Sequence, residues 1–290
     1  MTIRALITDL DNTLYDWVTF FGLAFDAMIN ELTKLLDVDR QTLLAQFKDI
    51  HQRYGSTETP WAALELPSVK LKFSNLPASE IAQHLEPAFS AFSAARKKHL
   101  ALYDHVADTL EQLTRGGVTI IGHTEALPVN AFYRLTLLGV LNRFSRIYTV
   151  EGPTVDHPFP ERLRSFPSPE LIRTLPRSER KPNPALLLDI CAREGFLPKE
   201  CVYIGDSRTR DVAMAKTAGI TAVWAKYGTQ YDPALWKVIV AVTHWTSADV
   251  EREAKLRENI KAIEPDFTID QFSQLLPIVK AERQLRDELA

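Results

Sequence analysis

The sequence predicts an α/β protein on a doubly wound parallel sheet, with a block of helices inserted after the first strand. Three observations predict it. Short apolar runs recur along the chain and each breaks into polar residues, the pattern of strands buried on both faces that end along one edge. Stretches of helical periodicity separate those runs, as βαβ units require. One such stretch, residues 16–102, is helical almost throughout and far longer than a crossover connection.

The first strand is Ala5-Leu6-Ile7-Thr8, which breaks into Asp9, Asp11, Asn12 and Thr13. Trp17, Phe20, Phe21, Ala24, Phe25, Met28, Ile29, Leu32, Leu35 and Leu36 then recur at helical spacing with a wide apolar face. The Phe20, Phe21 and Phe25 stripe reads as core packing. A second helix is predicted over Arg40–Tyr54, broken by 55–59, and a third region from Ser79 toward Leu102, interrupted near Pro87. The α/β pattern resumes at Tyr103, so residues 1–15 and 103–290 form the core and 16–102 the insert.

A helix over Val106–Thr114 ends at Gly116-Gly117, and the strand Val118–Gly122 ends in His123-Thr124-Glu125. A helix over Val129–Leu138 and a strand over Arg146–Val150 follow. Residues 153–180 are an insertion rich in proline and arginine, read as a loop, with Arg162, Arg164, Arg173, Arg177 and Arg180 giving it local positive charge. Lys181-Pro182-Asn183-Pro184 opens a helix through Arg193, with proline in the first turn where it is tolerated. The strand Cys201–Ile204 ends in Gly205-Asp206-Ser207 with Asp211 beyond, and a helix over Val212–Ala218 leads to a strand over Thr221–Trp224. From Asp232 to Ile263 the chain reads as helical or irregular, then an edge strand over Asp266–Ile269 and a closing helix over Ile269–Glu288.

At 290 residues the chain can bury a large core, and 46% hydrophobic with 24% charged content is ordinary for a soluble globular protein. A net charge of −3 gives no electrostatic case for nucleic acid or an anionic membrane. No apolar run is long enough to span a bilayer, and Met1-Thr2-Ile3-Arg4 leads straight into the first strand without a signal peptide. The two cysteines, Cys191 and Cys201, have no metal-type spacing and read as buried thiols of a reducing compartment, which suggests a cytoplasmic protein. Oligomeric state is silent.

Chemistry gathers where the strands end, the edge at which open α/β sheets bind ligands. Asp9 and Asp11 are like charges in close proximity, unfavourable without a cation or proton between them, and oxygen ligands suit Mg²⁺. Each candidate has a plainer reading. Asp9 to Thr13 could be a capped polar turn, Thr124 could satisfy its own turn, Lys181 could be solvated, and Asp206 and Asp211 could cap the next helix.

Taken together, the four strand ends resemble the haloacid dehalogenase superfamily. Asp9-Leu10-Asp11-Asn12-Thr13 is similar to its first motif, Thr124 to the second, Lys181 to the third, and Gly205-Asp206-Ser207 with Asp211 to the fourth. The resemblance covers most of the chain except the proline-rich segment and about 232–263. It implies a Rossmann-like core, and makes the insert a helical cap over the site. Asp9 is then a nucleophile that forms an aspartyl-phosphate, and Asp11 protonates the leaving oxygen and later deprotonates water. Thr124 and Lys181 meet the equatorial phosphoryl oxygens. Mg²⁺ is held by Asp9, Asp206 and the main-chain carbonyl of Asp11, with Asp211 supporting it. Glu125, a candidate substrate-binding residue beside Thr124, stands where relatives often carry Asn; a carboxylate facing a phosphate costs energy unless it turns away or meets a cationic group of the substrate. An acid at position 11 favours phosphoryl transfer over carbon–halogen hydrolysis. The expectation is a Mg²⁺-dependent phosphatase of a small phosphorylated metabolite. The alternatives are a phosphotransferase or mutase that shares the aspartyl-phosphate, and a non-enzymatic binding protein on the same fold.

Overall fold

β1 (Ala5–Thr8) is buried at every residue because it has a sheet neighbour on each side and side chains packed on each face. The structure is a computed structural model that describes residues 3–152, 170–259 and 263–280. The other strands are β2 (Thr119–His123), β3 (Arg146–Val150), β4 (Ile172–Leu175), β5 (Cys201–Gly205), β6 (Thr221–Ala225) and β7 (Phe267–Ile269). Among the described residues the sheet order is β4-β3-β2-β1-β5-β6-β7, and every pairing is parallel.

Strand alternation feeds two cores. Leu6 joins the cluster on one face, with Leu110 and Leu113 of α6 (Val106–Arg115) and Ala131 and Leu135 of α7 (Pro128–Leu137). Ala5 and Ile7 join the cluster on the other, with Leu187 and Ile190 of α8 (Pro184–Arg193) and Met214 and Ala215 of α9 (Ala213–Thr217). Helices on both faces of a parallel sheet make the doubly wound architecture read from the sequence.

Five helices fill the stretch after β1: α1 (Trp17–Leu36), α2 (Arg40–Tyr54), α3 (Pro67–Lys72), α4 (Ala78–His84) and α5 (Glu86–His99). Phe20, Phe21 and Phe25 are buried as expected, and the Phe25 and Phe47 rings meet edge to face at 5.0 Å. The two passages between this bundle and the sheet pair with each other: Tyr15 bridges Leu102, and Tyr103 N donates to Leu14 O at 2.9 Å. α10 (Pro233–Ala241) packs against α1, where Gly22 leaves room for Leu235, and α11 (Ser247–Asn259) follows. No described helix is long and apolar enough to cross a membrane.

Three expectations need correction. The proline- and arginine-rich insertion contains β4, an edge strand paired only to β3, whose residues Ile172-Arg173-Thr174-Leu175 carry no buried apolar run; positions 153–169 lie outside the described residues. A 3₁₀ turn over Pro60–Glu65 and α3 fill a stretch left without an element. The closing helix does not begin at Ile269, which ends β7; a 3₁₀ turn starts at Phe272, and 281–290 lie outside the described residues.

Candidate active site

The chain leaves β1 leftward through β2, β3 and β4, then returns to place β5 on the opposite side of β1, so the sheet reverses direction between β1 and β5. Asp9 and Asp206 emerge side by side at this switch, and Asp9 N donates to Ile204 O at 2.9 Å. Asn12 takes a left-handed conformation (φ 54°), which Asn tolerates better than most residues, and its Oδ1 accepts from Trp17 N at 3.1 Å. The polar turn thus also caps α1, as the plainer reading held. Two glycines make room at the site, one for this turn and one for Asp211. A Cβ on Gly228 would lie 1.8 Å from the Asn12 carbonyl oxygen, and one on Gly205 would lie 2.3 Å from Asp211 Cγ.

Lys181 is buried at 5% exposure among carboxylates. Its Nζ donates to Asp9 Oδ1 at 2.6 Å and to Asp211 Oδ1 at 2.9 Å. Asp211 Oδ2 accepts from Ser207 N at 3.1 Å, and the Tyr203 hydroxyl donates to Oδ1 at 3.1 Å. Burial works against the Lys181 charge, yet Asp211 and Asp9 outweigh it and hold the ammonium pKa well above its ordinary value. Oxygens of Asp9, Asp206 and Asp211 all lie within 4.8 Å of one another. Burial, with Asp211 adding to it against the pull of Lys181, pushes Asp9 up to about 7. Burial, then Asp211 and Asp9, raise Asp206 well above the usual carboxylate range. Three carboxylates around one ammonium leave the cluster short of positive charge, and its donors are all hard oxygens. The residues present fit a divalent cation such as Mg²⁺.

Asp11 points elsewhere. Arg134 of α7, 3% exposed, donates from Nη1 to Asp11 Oδ1 at 2.8 Å and from Nη2 to Glu58 Oε1. Glu58 also accepts from Trp17 Nε1 and Asn130 Nδ2, so residues of the helical insert and of α7 close around Asp11. Burial raises the Asp11 pKa against the pull of Arg134.

Thr124 is buried after β2, and its Oγ1 accepts from Ala126 N at 3.0 Å, so it does close its own turn while keeping a hydroxyl proton to donate. Glu125 supports its neighbours: Oε1 accepts from Lys181 N at 3.1 Å and Oε2 pairs with Arg210 Nη1 at 3.0 Å. His123 packs edge-on to Tyr203, as a buried strand-end residue. The Cys191 and Cys201 sulfurs are buried thiols 3.7 Å apart.

A cavity of about 480 Å³ opens beside these groups. Asp11, Glu125 and Lys181 line it; Asp9, Thr124, Asp206 and Asp211 do not, though Lys181 bonds Asp9 and Asp211 directly. Trp17 and Glu58 come to its wall from the helical insert, Arg177 and Arg180 from the segment after β4, and Trp236 and Trp245 from α10 and the turn after it. Arg177 Nη2 also donates to the carbonyls of Tyr54 at 3.0 Å and Gly55 at 2.8 Å, tying that segment to the end of α2.

Glu58, Arg134, Tyr203 and Arg210 were not anticipated. Arg134 had a signal, since it stands in the apolar stripe of α7 beside Ala131 and Leu135, where an arginine demands a buried partner. Glu58 had none, because it lies in an aperiodic break between helices.

Known proteins match along this whole arrangement. A sequence model described as haloacid dehalogenase-like hydrolase matches residues 3–219, and a second, HAD-hydrolase-like, matches 178–275. The glyceraldehyde 3-phosphate phosphatase of Methanopyrus kandleri is 23% identical over 284 residues, covering 96% of this chain and 97% of that protein. The phosphoglycolate phosphatase of Salmonella choleraesuis is 24% identical over 284 residues, covering 95% and 92%. Among solved structures, 2-haloacid dehalogenase from Pseudomonas syringae superposes with a TM-score of 0.56 at 20% identity, covering 97% of this chain and 99% of the other. A HAD phosphatase from Thermococcus onnurineus superposes with a TM-score of 0.54 at 20% identity and the same coverage. At these identities the structural matches establish the fold.

Proposed function

The chain belongs to the haloacid dehalogenase-like hydrolases, and from that premise we propose that it is a Mg²⁺-dependent phosphatase working through an aspartyl-phosphate on Asp9. The observation that carries the reading is the Asp9–Lys181 contact of 2.6 Å within an acidic cluster, joined through Lys181 to a cavity that Asp11 and Lys181 line. Two relatives named as phosphatases support it.

Asp9 attacks phosphorus through a carboxylate oxygen, and the bond from phosphorus to the leaving oxygen breaks as that oxygen takes the proton of Asp11. In the second half Asp11, now a carboxylate, takes a proton from water. The water oxygen bonds to phosphorus, the Asp9–phosphorus bond breaks, and inorganic phosphate leaves. Arg134 and Glu58 fix the Asp11 carboxyl for both transfers. Lys181 offers its ammonium, and Thr124 its hydroxyl, to phosphoryl oxygens carrying the developing charge. Asp9, Asp206 and the Asp11 main-chain carbonyl, with Asp211 supporting them, would hold Mg²⁺, which would supply neutralising charge to the reaction. Residues 16–102 act as the cap, bringing Trp17 and Glu58 over the site and excluding water. A cytoplasmic setting goes with this reading, since Cys191 and Cys201 are buried free thiols.

Release of inorganic phosphate from a panel of phosphomonoesters, with Mg²⁺ and then with excess chelator, tests the proposal. Phosphate is expected only with the metal, and none from Asp9→Asn. Alcohol released in excess of phosphate, made up by a newly phosphorylated acceptor, would replace hydrolysis with phosphoryl transfer.

A further inference from the structure

The cavity next to Asp11 and Lys181 has a wall that a small polar leaving group would leave bare. Among the described residues, seven large apolar side chains are strongly exposed, and three of them line this one cavity: Trp236 at 39%, Val240 at 46% and Val250 at 56%. They are not accidents of a loose helix. α10 is anchored by Ile239, buried at 5%, and by Leu235, whose Cβ lies 3.1 Å from where a Cβ on Gly22 of α1 would sit. α11 is tied down through Glu253, which takes a bond from Thr209 Oγ1 at 2.9 Å and pairs with Arg210 at 3.3 Å. Two anchored helices therefore hold apolar surface toward the cavity, at a cost in exposed area that a bound apolar group would recover.

Arg210 pairs with Glu125 and Glu253 and Arg180 with Asp249, while Arg177 and Arg252 donate to main-chain carbonyls. Six carboxylate residues against five cationic ones line the cavity, so its charge balance calls for no second anionic group on the ligand. The volume, about 480 Å³, falls in the range of roughly 300–1,000 Å³ that holds drug-sized ligands, well beyond a two- or three-carbon alcohol.

Resting on the phosphatase reading of this site, we propose that the chain takes phosphomonoesters whose leaving group is a bulky apolar alcohol, alkyl or aryl, seated on Trp236, Val240 and Val250. The α10–α11 excursion then shares the choice of substrate with the helical cap.

Non-hydrolysable phosphonates read the wall independently of turnover. Titration calorimetry of the full chain in Mg²⁺ with methyl-, hexyl- and phenylphosphonate is expected to show hexyl, phenyl or both at least tenfold tighter than methyl. A gain with hexyl alone identifies an alkyl leaving group, and with phenyl alone an aryl one. Trp236→Ala combined with Val250→Asp, both at exposed positions, should cut that gain at least fivefold, with thermal melts confirming the fold. Equal affinity for all three phosphonates, or a gain unchanged in the double variant, overturns the inference. Phosphate release is measured separately on methyl, hexyl and phenyl phosphate. No turnover with the binding gain intact removes the phosphatase reading and leaves the apolar site, turnover with flat binding removes the apolar site alone, and binding of none removes both.

Discussion

Arg134 Nη1 lies 2.8 Å from Asp11 Oδ1, joining the middle of α7 to the loop that follows β1. Its other nitrogen holds Glu58 of the helical insert, so one buried guanidinium binds both Asp11, the proposed acid–base residue, and the insert. Arg134→Met should leave Asp11 and Glu58 facing each other without a cation, at about 3–5 kcal/mol of stability. Turnover of an alkyl phosphate should fall at least 100-fold, but turnover of p-nitrophenyl phosphate much less, because a good leaving group needs no proton. Equal losses on the two esters would show that Arg134 only holds the fold together.

Most strand ends were legible because each carries two signals at once, a buried apolar run and then a polar break. Ile204-Gly205-Asp206 is typical: the run ends where the cluster begins. β4 was hidden since an edge strand needs no continuous apolar run, and Arg173 and Thr174 between prolines look like loop. Glu58 reaches the site from an aperiodic segment, where spacing says nothing about direction, whereas Arg177 belongs to the arginine-rich stretch already marked by its charge. Trp236 and Val240, four apart on α10, have the spacing of a core stripe; only the fold shows that this face meets a cavity while Ile239 is buried.

Asp9→Asn should abolish turnover while leaving the melting temperature within a few degrees of wild type. The substitution removes the nucleophile but also relieves a cluster in which three carboxylates share one ammonium. Phosphate release is the measurement, with a melt beside it. Turnover within tenfold of wild type in a well-folded variant would end the covalent mechanism.

Mg²⁺ should raise the melting temperature, since it binds a cluster that exists only in the folded chain. At 100 times its dissociation constant the gain is about 2.7 kcal/mol. Asp206→Asn should lose most of that shift, and Ca²⁺ should bind but inhibit, because its larger and looser oxygen shell misplaces Asp9 against phosphorus. A melting curve indifferent to Mg²⁺ and chelator would count against the acidic cluster as a metal site.

His51 sets a stability limit on the acid side. It is fully buried, its Nδ1 is 2.7 Å from Val242 O, and burial holds its pKa down at about 4. The unfolded chain takes up this proton near pH 6.5 and the folded chain only near 4, so stability is complete above 6.5 and drains as pH falls through that window. The loss amounts to on the order of 3 kcal/mol at pH 4. His51→Asn keeps a donor for Val242 O without the titration, so its melting temperature should fall less between pH 7 and 4.5 than wild type. Parallel curves for the two proteins would assign the acid sensitivity to other groups.

Gly228 approaches the loop after β1 closely, and its substitution separates space from backbone freedom. A Cβ there would fall 1.8 Å from Asn12 O and 2.9 Å from Asp206 Cβ, and neither neighbour is the flexible end of a long side chain. The Asp9–Thr13 loop, the Asp206 turn after β5 or the turn after β6 must therefore move, and the first two carry Asp9 and Asp206. Misplacement of about 1 Å at reacting groups can cost on the order of 100-fold in rate. Gly195 is the control: it has φ +77°, with nothing within 4 Å of an added Cβ, so Gly195→Ala pays only for its backbone conformation, about 1–2 kcal/mol. Gly228→Ala should lose at least tenfold in kcat and most of the Mg²⁺-induced rise in melting temperature. Gly195→Ala should lose stability while retaining both. If Gly228→Ala keeps wild-type kcat and metal response, the loop after β1 does not depend on this contact for its geometry.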